Sequence, residues 1–126
     1  MAVTKLKTTQ IAAVLAKIVT KQGGKCALCG HPFTNRDRAC LDHCHDTGYI
    51  RGALHASCNG IEGRLKKLAQ RGHRGISPYK YLIGLGEYLK STITPKYNLI
   101  HPSHKSEEDK RIERNAKARA KRKANK

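Results

Sequence analysis

A small α+β domain with flanking helices and a basic tail is predicted by three features of the 126-residue chain. Apolar residues recur at helical spacing near the N-terminus and again in two later segments. Between them lie two short strand-like runs joined by a turn. The third feature concerns what holds so small a fold together. The chain has no Trp, one Phe and 38% hydrophobic residues, so burial alone leaves it marginal. It does have Cys26-x2-Cys29 and His55-x2-Cys58, two chelating pairs that suit a metal staple.

The elements follow in order. Ile11, Val14, Leu15, Ile18 and Val19 form one apolar stripe, with Thr8 or Thr9 expected as its cap and Gly23-Gly24 as its stop. This helix should pack on the metal-bound region or on a second subunit. "CALCG" reads as a knuckle in which Gly30 permits the tight turn. "ACLDHCH", "DTG" and "YIRGAL" read as strand, turn and returning strand. "SCNGIEGRLKKLAQRG" then reads as a helix capped by Ser57 and ended by Gly72. Gly60 and Gly63 weaken that helix by about 1 kcal/mol each relative to Ala. Their small size suits the close approach of a strand or a DNA backbone. "ISPYKYLIGLGEYLKS" gives a further helix, with Tyr81, Leu82, Leu85, Tyr88 and Leu89 as its apolar face, and an extended segment follows Pro95. The organisation is therefore an N-terminal packing or dimerisation helix (1–24), a metal-bound core (25–72), a helix with an extended segment (73–103) and a basic tail (104–126).

Charge narrows the partners. The 26 Lys and Arg against 9 Asp and Glu leave a net charge of +17, far beyond what solubility requires, which points to nucleic acid. A membrane is not expected, because no apolar run approaches the roughly 20 residues of a spanning helix. Lys17 interrupts the early apolar stretch and no small-residue cleavage site follows, so a secretory signal is not expected either. The tail carries ten Lys/Arg and four Asp/Glu. It reads as an arm on phosphates in preference to a solvated, frayed helix.

An odd cysteine count with metal-ligand spacing favours reduced thiolates in a cytoplasmic protein over disulfides. Cys26, Cys29, His55 and Cys58 would close the tetrahedral shell of a structural Zn²⁺. A rival set uses Cys26, Cys29, Cys40 and Cys44, with the looser x3 spacing in its second pair. Free, buried thiols are the plainer account of Cys40 and Cys44.

Once the zinc ligands are set aside, Asp42, His43, His45 and Asn59 remain within one short stretch, with Glu62 just downstream. Asn59 and Glu62, three residues apart, share a helix face. Taken singly, an Asp-His pair is a surface pair and an Asn after Cys is a cap. Taken together they suit phosphodiester hydrolysis: an imidazole that deprotonates water, and carboxylate and amide oxygens that hold Mg²⁺.

On "KCALCG", "LDHCHDTGYIRGAL" and "HASCNGIEGRL", taken in that order, the sequence resembles the phage recombination endonuclease VII family within the HNH, or His-Me finger, nucleases. Weaker similarity runs through "YLIGLGEYLKS" to "YNLIHPS". The resemblance implies a zinc-stapled ββα-metal domain with His43 as general base and Asp42 and Asn59 on a catalytic Mg²⁺, for which Mn²⁺ is a substitute. It places Glu62 and His45 around the scissile phosphate. It further implies a homodimer that cuts branched DNA such as four-way junctions, in the host-cell cytoplasm if the gene is a phage's. There are departures. His55 stands where a zinc cysteine is common, Cys44 replaces the second acidic residue of the usual DHDH run, and Cys40 sits where a histidine can occur. The longer C-terminal domain of junction-resolving members is here a basic tail. A less selective nicking or homing-type enzyme, and a non-catalytic zinc module that binds DNA or protein, are the alternative readings.

Overall fold

The computed structural model describes residues 2–72 and 75–126. A single 3₁₀ turn (Thr8–Gln10) leads into α1 (Ile11–Lys21), and β1 (Ala39–His43) and β2 (Ile50–His55) form an antiparallel hairpin. Then come α2 (Ala56–Gly72), α3 (Pro78–Ser91) and α4 (Glu107–Ala124). The predicted α+β class is observed. Contacts divide the chain into two units, Met1–Tyr88 and Leu89–Lys126. The expected boundary at residue 73 falls on His73 and Arg74, which lie outside the described residues.

The start of α1 differs from the expected one. Neither threonine caps it; Gln10 folds back so that its Oε1 accepts from the Lys7 amide at 2.8 Å, and the 3₁₀ turn runs directly into the helix. At the other end, Gly23 and Gly24 take positive φ (66° and 72°) and close the helix onto the Thr20 and Val19 carbonyls, as predicted. Val14, Leu15, Ile18 and Val19 are half-buried on the side that packs against the hairpin.

β2 passes into α2 without a loop, since His55 ends one and Ala56 begins the other. Ser57 therefore sits inside the helix and is not its cap. Instead Asp37, from the preceding loop, accepts both the Ser57 amide and the Ser57 hydroxyl, which holds the Asp37 carboxyl below its usual range. Gly60 and Gly63 do not admit a strand. A Cβ at Gly60 would meet only the tip of Arg64 at 3.8 Å, and one at Gly63 would meet nothing within 4 Å.

The core is small and sits between the knuckle, the hairpin and α2. Its buried apolar residues are Cys26, Ala53, Leu54 and Ala69. One polar side chain closes it. The Gln22 amide donates to the carbonyls of Ala53 and Lys25, both at 2.9 Å, and accepts from the Ala53 amide at 2.9 Å. These bonds join the end of α1 to the outer edge of β2. A Cβ at position 52 would lie 3.1 Å from Gln22 Oε1, so a larger residue there would press on the clamp by a few tenths of an ångström.

None of the residues of α3 is buried, and Tyr81, Ile83, Leu85 and Leu89 are exposed. In the second unit α4 is a regular helix and not a frayed one. Ser106 and Asp109 form a reciprocal capping box, Glu107 to Asp109 lie in the first turn, and Lys121 to Lys123 in the last, which complements the helix dipole. No helix among the described residues is long and apolar enough to cross a membrane.

Candidate active site and metal centre

The metal cluster starts from the knuckle. Gly30 takes φ of 74°, as its place in a tight turn requires, and its amide closes onto the Cys26 carbonyl at 3.0 Å. The Cys26 amide bonds to the His31 carbonyl, and the Ala27 amide docks the knuckle on the Ala53 carbonyl of β2 at 3.1 Å. Cys26 and Cys29 thus face His55, at the end of β2, and Cys58, near the start of α2. Their four ligand atoms lie within 4.8 Å of one another. Cys29 Sγ is 3.3 Å and Cys58 Sγ 3.8 Å from His55 Nδ1. A tetrahedral zinc with its usual bond lengths separates sulfur from nitrogen by about 3.5 Å, so the set is compatible with structural zinc. The rival set is not assembled: Cys40 lies within β1 and Cys44 just past its end.

The surroundings of the cluster orient the His55 ring and favour the thiolate at Cys26. The His55 ring bonds through Nε2 to the Pro32 carbonyl at 3.0 Å, which leaves Nδ1 directed at the sulfurs. The Pro32 carbonyl favours the protonated ring and burial opposes it; with the Cys26 and Cys29 thiols added, the His55 pKa is raised to about 9. Burial works against ionisation of Cys26. The amides of Cys29, His55 and Leu28 outweigh it, and the thiol pKa falls to about 6. Cys58 lacks such donors; burial, then the neighbouring Cys29 and Cys26, push it up to about 11. Phe33 meets the His55 ring edge-on, at 4.9 Å between centroids.

Beside the cluster, Asp42 is 6% exposed and points toward α2. Arg51 forks onto it, Nε to Oδ2 at 2.7 Å and Nη2 to Oδ1 at 2.9 Å, and the same Nη2 reaches Glu62 Oε2 at 3.2 Å. The pairing depends on a β-bulge. Asp42 opposes Gly52 and His43 opposes Ile50, so Arg51 is an extra residue in β2. In a regular strand it would alternate away from Gly52 and face the other side. Asp42, Arg51 and Glu62 line a cleft of about 180 Å³ with Ala27, Leu28, Gly52 and Leu54.

His43 follows Asp42 and, by strand alternation, turns to the opposite face. It is exposed there, stacks on His45 at 4.9 Å and 15°, and lines a broader cleft of about 920 Å³ with Leu41, Tyr49, Ile50, Lys5 and Ile11. Asn59 is half-buried in the first turn of α2. The five expected site residues are therefore divided. Asp42 and Glu62 share one cleft, His43 and His45 lie together on the other face, and the bulged end of the hairpin contributes to both clefts.

Cys44 closes the hairpin turn. Its amide donates to the Tyr49 carbonyl at 2.8 Å, its carbonyl accepts from the Gly48 amide at 2.7 Å, and its sulfur takes bonds from the Thr47 side chain and from the Thr47 and Asp46 amides, which lower its pKa. A thiol thus does there what an Asp side chain does at the head of a turn. Arg51, Gln22 and Asp37 were not found by reading the sequence. Arg51 had one signal, a lone cation beside the apolar residues of its strand, but its partner is set by the bulge.

The family model of recombination endonuclease VII matches residues 3–91, which hold the metal cluster, the hairpin and both clefts. The chain belongs to the recombination endonuclease VII family. Membership makes the protein a nuclease and DNA its substrate. No curated protein matches the chain. The match ends at Ser91, the last residue of α3, so α4 lies beyond it.

Proposed function

We propose that the protein is a Mg²⁺-dependent His-Me finger endonuclease, stapled by zinc and selective for branched DNA. The observation that carries this reading is the buried Asp42 carboxylate, which together with Glu62 already holds a cation, the Arg51 guanidinium, at the bulged strand end beside His43. A carboxylate this deeply buried requires a positive partner. With the Asn59 amide oxygen from the first turn of α2, Asp42 offers the hard oxygens that suit Mg²⁺.

A phosphodiester lying across the bulged end of the hairpin would meet the carboxylates on one side and His43 on the other. His43 takes the proton of the attacking water, and His45, stacked on it, fixes the ring plane. Glu62 completes the charge facing the phosphate. Bound at Asp42 and Asn59, Mg²⁺ would neutralise charge on the phosphate and supply waters that protonate the departing 3′ oxygen. Cys26, Cys29, His55 and Cys58 would hold zinc as a staple, keeping the start of α2 against the knuckle. A homodimer is supported by the exposed Tyr81, Ile83, Leu85 and Leu89 of α3, which a second copy would cover.

Incubation with four-way junctions, linear duplex and supercoiled DNA, with and without Mg²⁺, tests the reading. Cleavage confined to junctions supports it, and general nicking would assign the less selective alternative. Absence of cutting by zinc-loaded protein with any divalent ion would reduce the protein to a binding module.

A further inference from the structure

Arg51 spends its planar fork on Asp42 and its remaining reach on Glu62. Both Asp42 oxygens are thereby engaged, in the place where a divalent cation would have to bind. A guanidinium and a divalent cation on one carboxylate would repel at short range inside a cleft with apolar walls. The two must exchange. Arg51 is placed to leave, since its side chain is 38% exposed against 8% for Asp42. Among the described residues, no other basic residue lines that cleft. A phosphate entering it would find Arg51 as its one lining cation, with a fork geometry that matches phosphate as well as carboxylate. The bulge that turns Arg51 toward α2 serves both partners.

We infer that Arg51 is the resident counter-cation of the Asp42–Glu62 seat and passes from these carboxylates to the substrate phosphate when a divalent cation binds. The inference rests on the reading of Asp42 as a Mg²⁺ ligand.

Mn²⁺ titrated into zinc-loaded, full-length protein without DNA, with free Mn²⁺ read by electron paramagnetic resonance, tests both layers. Arg51→Gln should bind Mn²⁺ about ten-fold more tightly than the wild type, the scale of one charge-assisted pair with a half-exposed partner. At saturating Mn²⁺ it should cleave about 100-fold more slowly, because the phosphate no longer meets a guanidinium. Arg51→Lys, which keeps the charge but not the fork, should fall between. If Arg51→Gln binds no tighter while Asp42→Asn loses the ion, Arg51 is a brace and the exchange is wrong. Tightened binding with undiminished cleavage refutes the phosphate half. If Asp42→Asn binds Mn²⁺ like the wild type, the Asp42 reading falls and takes the inference with it. The wild type provides a check that survives a misfolded variant. The Arg51 Nε–H resonance should be protected in zinc-loaded protein without Mg²⁺ and lose that protection on Mg²⁺ addition; a resonance indifferent to saturating Mg²⁺ overturns the exchange.

Discussion

Removal of zinc should unfold the hairpin region, and the magnitude follows from how little else holds it. Among the described residues, Leu54 is the only buried apolar residue with a large side chain, and burying one Leu contributes about 1.5–3 kcal/mol. Zinc held by a Cys and His set is worth about 10–16 kcal/mol at neutral pH. That equals or exceeds the whole stability of an ordinary domain, about 5–15 kcal/mol. The four ligands also come from every part of the core: the knuckle, the end of β2 and the start of α2. Chelation should therefore collapse the amide dispersion of residues 25–58 in NMR spectra and abolish cleavage, with recovery on adding Zn²⁺ but not Mg²⁺. A dye assay should count one zinc per chain. Cys58→Ser should behave like chelated protein, whereas Cys40→Ser should keep its zinc. A chelated chain that retains the hairpin signals, or a Cys40→Ser protein without zinc, would refute the reasoning.

Four other outcomes are expected. Gln22→Glu keeps the shape of the clamp but sets a carboxylate against the Ala53 and Lys25 carbonyls, so the zinc-loaded protein should lose about 2–4 kcal/mol in denaturant titration; a midpoint equal to the wild type's would show that the clamp is not holding β2. His43→Ala should lower the cleavage rate by about 10²–10⁴ while DNA binding persists, and activity surviving near wild-type level would remove His43 as the base. Gly60→Ala should raise stability by about 1 kcal/mol yet weaken DNA binding if the bare helix face admits the backbone; unweakened binding assigns these glycines no such role. In the tail, Lys105, Lys110 and Arg111 are paired with Glu113, Glu107 and Glu108, and no acidic residue follows Glu113. Deleting residues 114–126 should thus flatten the salt dependence of binding as much as deleting 104–126 does, by about 0.9 in slope for each phosphate no longer neutralised; a further drop with the longer deletion would show that the paired cations also touch DNA.

How far the sequence carried can be judged residue by residue. The two x2 pairs come together as expected, in a cluster compatible with zinc, because chelate spacing is a local property that folding only has to bring together. Helical and strand periodicity placed α1, the hairpin and α2 for the same reason. Caps were read less well. Thr8, Thr9 and Ser57 have the right chemistry at the right places, but Gln10 and Asp37 reach the free amides first, and which side chain arrives is a matter of loop path. Cys44 was opaque because a thiol that closes a turn looks like a ligand in one dimension.

The class of fold, the cluster of Cys26, Cys29, His55 and Cys58, the DNA substrate and the family were all legible along the chain, since each depends on composition or on spacing. Only the tertiary structure decided that Asp42 and His43 serve opposite faces, that Gln22 ties α1 to β2, and that Arg51 is the cation between Asp42 and Glu62. The physical reason is the bulge. One extra residue in β2 reverses the side to which Arg51 points, and no periodicity within "YIRGAL" reports the register of the strand opposite.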